Sequence, residues 1–355
     1  MNKLEKARIE INDIDRDMAR LFEKRMKAVE DVILFKLEND MPIFDKSREM
    51  EVIDKNSSYI NNCLYVDYYK MFIKDLMDIS KEYQYTIINK EDVGYGGTKG
   101  AFSHIACSNI FPSLNQKEYK TFEEVFEAVE SGEIAYGVIP FENSYTGEVG
   151  EVLDFLYKYD VYINKVYDLK INQNLLGVKG STINDIKKVY SHQQAISQSS
   201  QFLKSMNFEV IPYENTALAA RYVSEENDKS KAAIASRETA KLYNLDIIVD
   251  NINTSSANTT RFIVISKKKE KEGNRVSLIF TVNHNAGQLA HIMQLIGNAG
   301  YNMESIKSRS IHNEPWKYYF YVEIVGNLSD DNTNNLINEI KEECEIVKVL
   351  GTYTI

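Results

Sequence analysis

The first glycine of this chain is Gly94, and before it Pro42 is the only proline. Glycine and proline are the residues that turn and break a backbone, so a start without them has little means of folding as anything but long helices. Ile11, Ile14, Met18, Leu21 and Phe22 fall at helical spacing. Pro42 and the following "FDKSREM" mark a break, with Asp45 as the N-cap of the next helix and Glu49 one turn on. A second break near "NSSYINN" leaves three helices, the first of them long.

Helical phase constrains the cations of this segment. Arg25 and Lys36 are separated by almost whole turns and project from one face. Arg8 lies roughly 100° around the helix from Arg25 and about 25 Å along it, beyond the span of one small ligand. Either Arg8 serves a copy of the site on a second protomer, giving an interlocked dimer, or all three cations are solvated on an exposed helix. Asp45 with Glu49, and Ser80 with Gln84, are further polar pairs one turn apart.

From about Glu91 the character changes. Strands such as "AYGVIP", "KKVYSH", "FEVIPY", "KAAIAS" and "RFIVIS" alternate with helical stretches up to Lys267, which predicts an α/β domain with a largely parallel sheet. The domain opens with "GYGGTKGAFS", punctuated like a phosphate-binding turn. A dinucleotide fingerprint needs a third glycine where Lys99 stands, and no Walker lysine follows a glycine with Ser or Thr after it. A nucleotide-dependent dehydrogenase is therefore disfavoured, and the turn is read as a backbone cradle for another anion. After the charged linker "KKKEKEGN", residues 275–355 read strand, helix, strand, strand, helix, strand, the order of a ferredoxin-like module. The domains are thus 1–88, 91–268 and 275–355.

The composition narrows the function classes. A net charge of −10 argues against a nucleic-acid partner, so an anionic ligand has to be caught by locally placed Arg and Lys. No apolar run reaches the roughly 18 residues of a membrane span, and the acids of "MNKLEKARIE" do not suit a secretory signal. A cytoplasmic protein is expected. Cys63, Cys107 and Cys344 are far apart in sequence, and five scattered histidines form no HExxH, so neither disulfides nor a metal site is expected.

Arg8, Arg25, Lys36, Asp45, Glu49, Ser80 and Gln84, in this order on three helices, resemble the active-site pattern of the all-helical chorismate mutase family. The resemblance implies a dimer with Arg8 donated across the interface. It also implies roles: Arg8 and Arg25 clamp the carboxylates of chorismate, and Lys36 and Gln84 donate to the breaking ether oxygen. Glu49 and Asp45 hold the substrate hydroxyl and Lys36, and Ser80 supports a carboxylate. The rearrangement to prephenate is pericyclic, so the site needs conformer selection and charge stabilisation, with no nucleophile, metal or cofactor.

"GYGGTKGAFSH", "GVIPFENSYTG", "VYSHQQAISQ", "KAAIAS" and "NTTRF" are similar, in order, to the motifs of the prephenate dehydratase family. That implies a two-lobed α/β domain of the periplasmic-binding-protein type, with the chain crossing near 165–180, returning near 247–261, and a cleft between the lobes. Thr98 and its glycine-rich turn, Glu142, Asn143, Ser144, Ser191 and Gln198 become substrate contacts. Thr260 becomes the group that protonates the departing hydroxyl, and Arg261 either the principal cation of the site or a residue that orients its loop. His104 and His192 are read as helix-start or loop residues. Gln193 stands where the family usually has proline.

The last part resembles an ACT regulatory domain of the dehydratase type, which implies phenylalanine as effector at Gly287, Leu289, Asn302, Ser308 and Arg309. Ala286, Gln288, Lys307 and Ser310 depart from the family's effector motifs, and Lys307 reverses a charge beside the expected pocket. "WKYYFYVEI" is expected to be a strand of alternating exposure. The whole chain therefore resembles bifunctional enzymes that convert chorismate through prephenate to phenylpyruvate, as a homodimer or tetramer. An arogenate-preferring dehydratase and a non-catalytic amino-acid sensor are the alternatives.

Overall fold

The computed structural model describes residues 2–38, 46–88, 92–255, 257–270, 272–283, 285–311, 314 and 316–354. The chain divides into two compact units, 1–90 and 91–355.

The first unit is helical: α1 (Lys3–Glu38), α2 (Lys46–Ser57), a short 3-10 turn at Cys63–Tyr65 and α3 (Val66–Ile88). The turn is capped by Asn62, whose side chain accepts from the Leu64 N–H. Among the described residues of this unit the buried apolar side chains are Val29 and Ile33 of α1 and Ile73 and Met77 of α3. Leu4, Ile11, Ile14, Met18, Leu21 and Phe22 keep 40–63% of their surface exposed. The helical periodicity is present, then, but among the described residues its apolar stripe stays exposed.

The second unit holds three sheets. The first lobe runs β1 (Val93–Gly96), α4 (Phe102–Ile110), β2 (Gln116–Tyr119), α5 (Phe122–Ser131), β3 (Tyr136–Asn143), β4 (Gly147–Glu148), α6 (Gly150–Lys158) and β5 (Tyr162–Lys170). The chain then crosses into the second lobe: β6 (Asn174–Gly177), β7 (Lys188–Ser191), α7 (Gln193–Gln198), α8 (Ser200–Lys204), β8 (Glu209–Pro212), α9 (Thr216–Glu226), β9 (Lys231–Ala235), α10 (Arg237–Leu242) and β10 (Asp246–Val249). It returns as β11 (Thr259–Ser266). The C-terminal module follows: β12 (Arg275–Thr281), α11 (Gln288–Asn298), β13 (Met303–Ser310), β14 (Tyr318–Val325), α12 (Asp331–Glu343) and β15 (Val347–Tyr353).

Each lobe's sheet is largely parallel, as the alternating pattern predicts, with one strand of its main path reversed. In the order β2-β1-β3-β11-β5, β1 is parallel to β2 and β3, whereas β11 is antiparallel to both of its neighbours. In β10-β6-β9-β7-β8, β6 is antiparallel to β10 and β9. The cause is the double crossing. Strands that carry the chain between lobes enter without a covering helix, so the right-handed helix crossover that enforces parallel pairing does not operate on them.

The C-terminal sheet has the order β13-β14-β12-β15, entirely antiparallel, with α11 and α12 packed on one face through Ile292, Ile296, Leu336 and Ile340. Its other face lies on the first lobe, where Ile279, Tyr319, Tyr321, Leu350 and Tyr353 share one core with Ile139, Phe141, Leu153 and Ile163. This corrects the expected alternation in β14. Tyr321 to Ile324 are buried without a break because the strand is covered on both sides.

Candidate active sites

In the helical unit, Arg25 is half-buried and its guanidinium reaches the Ser80 hydroxyl on α3 and, at 3.4 Å, the Leu76 carbonyl. Burial pulls the guanidinium below its usual pKa, though a group starting that high stays charged. Ser80 and Gln84 are both buried, and Gln84 Oε1 has no hydrogen-bond partner among the described residues. An amide held dry and incompletely bonded is an unusual expense in a stable fold and suits a ligand site. Lys36 is half-buried near the end of α1, and Arg8 is exposed near its start. Asp45 and the Glu49 side chain lie outside the described residues.

In the second unit, Asn143 at the end of β3 is the centre of a network. Its Oδ1 accepts the N–H of Tyr145 at 2.9 Å and of Thr146 at 3.1 Å, which fixes the orientation of the amide. The Nδ2 must then donate, and it meets Thr260 Oγ1 and Asn258 Oδ1, each at 2.9 Å. Accepting that bond leaves the Thr260 hydroxyl proton free to point elsewhere. Among the described residues, the buried polar atoms that lack partners include Asn258 Nδ2, on a residue bonded to Asn143, and Gln173 Oε1 and Ser199 Oγ. Sequence reasoning missed these three. Only Asn258, as the first residue of "NTTRF", carried a signal that could have found it.

The other expected contacts divide. Thr98 lies at the mouth of the lobes, 3.4 Å from the Asn215 amide, which also caps α9. Nearby, Thr239 donates to the Gly100 carbonyl at 2.7 Å and Tyr243 to that of Lys99 at 3.2 Å. Gly97 and Gly100 take the positive φ of 97° and 93° that the turn requires. The turn's own N–H groups are largely used, however. Gly97 donates to Tyr119, Lys99 to Glu118, Gly100 to His104 Nδ1 and Ala101 to Thr98, so the cradle offers an anion fewer donors than its glycines suggest.

Ser191 is fully buried and gives its proton to the Ile234 carbonyl, and Gln198 is buried against Gln173 at 3.3 Å. Ser144 bridges Ala257 and the Thr259 N–H. These three therefore hold the scaffold of the cleft. Arg261 is clamped by Asp168 through two bonds of 2.9 and 3.0 Å, and the carboxylate raises its pKa further. It alternates with Thr260 along β11 and so lies on the opposite sheet face, which favours the strand-orienting reading over that of a cation in the site. His192 caps α7 through the Gln194 N–H, and His104 accepts the Gly100 N–H from the first turn of α4.

In the C-terminal module, Gly287 and Leu289 line a cavity of about 600 Å3 together with Tyr157, Asn283, Trp316 and Phe320. Asn302, Ser308 and Arg309 do not line it. Arg309 pairs with Asp154 of α6, which also accepts from Tyr319 at 2.6 Å. Lys307 likewise turns toward the first lobe and not toward the cavity, because β13 presents these two alternate side chains to that lobe.

The sequence model of the prephenate dehydratase family matches residues 93–270, and that of chorismate mutase type II matches residues 7–85. A bifunctional chorismate mutase/prephenate dehydratase of Buchnera aphidicola subsp. Schizaphis graminum is 31% identical over 99% of this chain and 96% of its own length. Among solved structures, the prephenate dehydratase of Staphylococcus aureus aligns with a TM-score of 0.65 at 27% identity, over 74% of this chain and 99% of that one. A protein described as GqqA, a novel type of quorum quenching acylase, aligns with a TM-score of 0.69 at 26% identity, over 74% of this chain and 97% of that one. The two-lobed fold with its appended module thus carries more than one chemistry. The present chain, with both matched domains and full-length similarity, belongs to the bifunctional chorismate mutase/prephenate dehydratase family. Among the described residues no helix is long and apolar enough to cross a membrane.

Proposed function

We propose that this chain rearranges chorismate to prephenate in its helical unit and converts prephenate to phenylpyruvate in its two-lobed unit, as a step of phenylalanine biosynthesis. The observation that carries the dehydratase reading is the Asn143 amide aimed at Thr260 Oγ1. In that step the bond from ring to carboxylate breaks, its electron pair aromatises the ring, carbon dioxide leaves, and the ring hydroxyl departs as water once protonated. A threonine hydroxyl is a weak acid, but aromatisation supplies the driving force, and Asn143 keeps the proton directed at the substrate.

In the helical unit, Arg25 and Ser80 receive a carboxylate, and Gln84 with Lys36 donates to the ether oxygen. Arg8 completes the site of a second protomer. The support for this dimer is the exposed stripe from Leu4 to Phe22, a length of apolar helix that a partner would cover. The domain boundaries 1–88, 91–268 and 275–355 and a cytoplasmic location are part of the same reading. Phenylalanine is the proposed effector, with the cavity at Gly287 and Leu289 as its place, since an apolar wall with a few polar groups suits an aromatic amino acid.

The test supplies purified protein with chorismate alone and follows prephenate and phenylpyruvate, with and without phenylalanine. Phenylpyruvate is expected, and its formation is expected to slow with phenylalanine. Prephenate accumulating unconverted would overturn the dehydratase reading in favour of arogenate as substrate. Unchanged chorismate would overturn the mutase reading, and prephenate supplied directly would then decide the dehydratase.

A further inference from the structure

Glu142 and Asn143 are neighbours at the end of β3 and so point to opposite faces of the sheet. Asn143 turns to Thr260. Glu142 meets Lys307 of β13, whose Nζ lies 3.1 Å from Glu142 Oε2 and 3.7 Å from Glu148 Oε2. The Lys307 side chain is only 14% exposed. Among the described residues its ammonium makes no aligned hydrogen bond and is held as an ion pair, with the Phe141 ring centroid 5.0 Å away.

The backbone at this point is irregular. Against β11, Asn143 faces Thr260 and Glu142 faces Arg261, but the next pair is Pro140 with Phe262, so Phe141 is an inserted residue. Such a bulge re-aims the side chains beside it, here those of Glu142 and Asn143. Its Phe141 side chain is buried and lies against the Tyr321 ring at 5.4 Å. Both groups that grip the bulge from behind, Lys307 and Tyr321, belong to the C-terminal module.

We propose that Lys307 is a positioning residue for the dehydratase reaction: by pairing with Glu142 it fixes the bulged end of β3, and with it the Asn143 amide that orients Thr260. The C-terminal module thereby forms the back wall of the active centre. Any change in that module that moves β13 reaches Thr260 through one ion pair and one peptide unit. This proposal rests on the reading of Thr260 as proton donor, and Thr260→Val tests that reading separately.

The experiment compares Lys307→Met, Lys307→Arg, Glu142→Gln and the Lys307→Met/Glu142→Gln double variant in the full-length chain, with prephenate as substrate. Thermal melts and circular dichroism of the same preparations report whether the second unit, which holds all the substituted residues, is folded. Lys307→Met is expected to lower dehydratase kcat roughly tenfold, through misplacement of the donor, with KM within about twofold. Lys307→Arg is expected to restore most of kcat, and the double variant to be no slower than the slower single. Wild-type kcat in Lys307→Met, an effect confined to KM, or multiplying losses in the double variant would each overturn the proposal. If Lys307→Met does not fold, Glu142→Gln with Glu148→Gln carries the test, with the same loss in kcat expected and an unchanged kcat overturning it. Full dehydratase activity in Thr260→Val would instead overturn the reading beneath it.

Discussion

In the proposed dehydratase reaction Thr260 is the proton donor, held by a neighbour whose own geometry is settled by backbone. Because Asn143 Oδ1 is occupied by Tyr145 and Thr146, the amide cannot turn over, and the threonine proton is left for the substrate. Thr260→Val, which keeps the shape and removes the proton, is expected to lower dehydratase kcat by roughly two to four orders of magnitude. Asn143→Ala should have a smaller effect in the same direction, and steady-state assays with prephenate decide both. His104 supplies a pH prediction. Burial, and then Lys99, hold its pKa below the ordinary value, and its Nδ1 must be neutral to accept the Gly100 N–H. The unfolded chain therefore binds this proton more readily. Stability is expected to be intact above about pH 6.5 and to fall as pH drops through the lower folded value. His104→Gln should flatten that acid limb in thermal melts recorded across pH. At this scale the motifs name residues that the structure brings together, Arg25 with Ser80 and Asn143 with Thr260. Ser191 and Gln198 sit in motifs as well, yet their side chains are spent on internal bonds. Gln173 and Ser199 lie outside the motifs, and their unpartnered buried atoms have no local signature.

The helices of the first unit were legible from spacing, because a glycine-free amphipathic stretch has few alternatives. What the spacing could not say is what the apolar face packs against. Ile14→Glu with Met18→Glu puts charge in the middle of the exposed stripe of α1 and leaves the small core around Ile33 untouched. The double variant is expected to sediment as a species with fewer chains than the parent and to lose mutase activity, while prephenate turnover persists. Mutase activity at parental levels in a monomer would refute the shared site. Strand polarity was legible except at two strands. The alternation of strands and helices suggested largely parallel sheets, and β11 and β6, the bridges between lobes, run against their neighbours. In the C-terminal module, β13 was expected to carry the effector contacts Ser308 and Arg309, with Lys307 beside them. Its register shifts between Met303 and Ser305 along β14, and the Lys307 and Arg309 side chains meet the first lobe. A bulge of one residue decides that face, and no pattern of apolar residues reports it.

At the scale of the molecule, two catalytic tasks sit in two compact units. Arg25→Ala is expected to reduce mutase turnover about a hundredfold or more and to leave dehydratase kcat within about twofold of the parent, which paired assays on one preparation would check. Matched losses in a folded variant would mean that the units depend on each other. The C-terminal module, by contrast, shares a core with the first lobe through Tyr319, Tyr321 and Leu350 and has no such independence. The order of strands in that lobe also bears on how the protein comes off the ribosome. β11 lies between β3 and β5 yet is made after the entire second lobe. Until residues 259–266 emerge, β3 and β5 each present a bare edge with nothing between them. Vectorial synthesis therefore finishes the later lobe before the earlier one can close, and a chain stalled short of Asn258 is left with an open sheet for chaperones to shield.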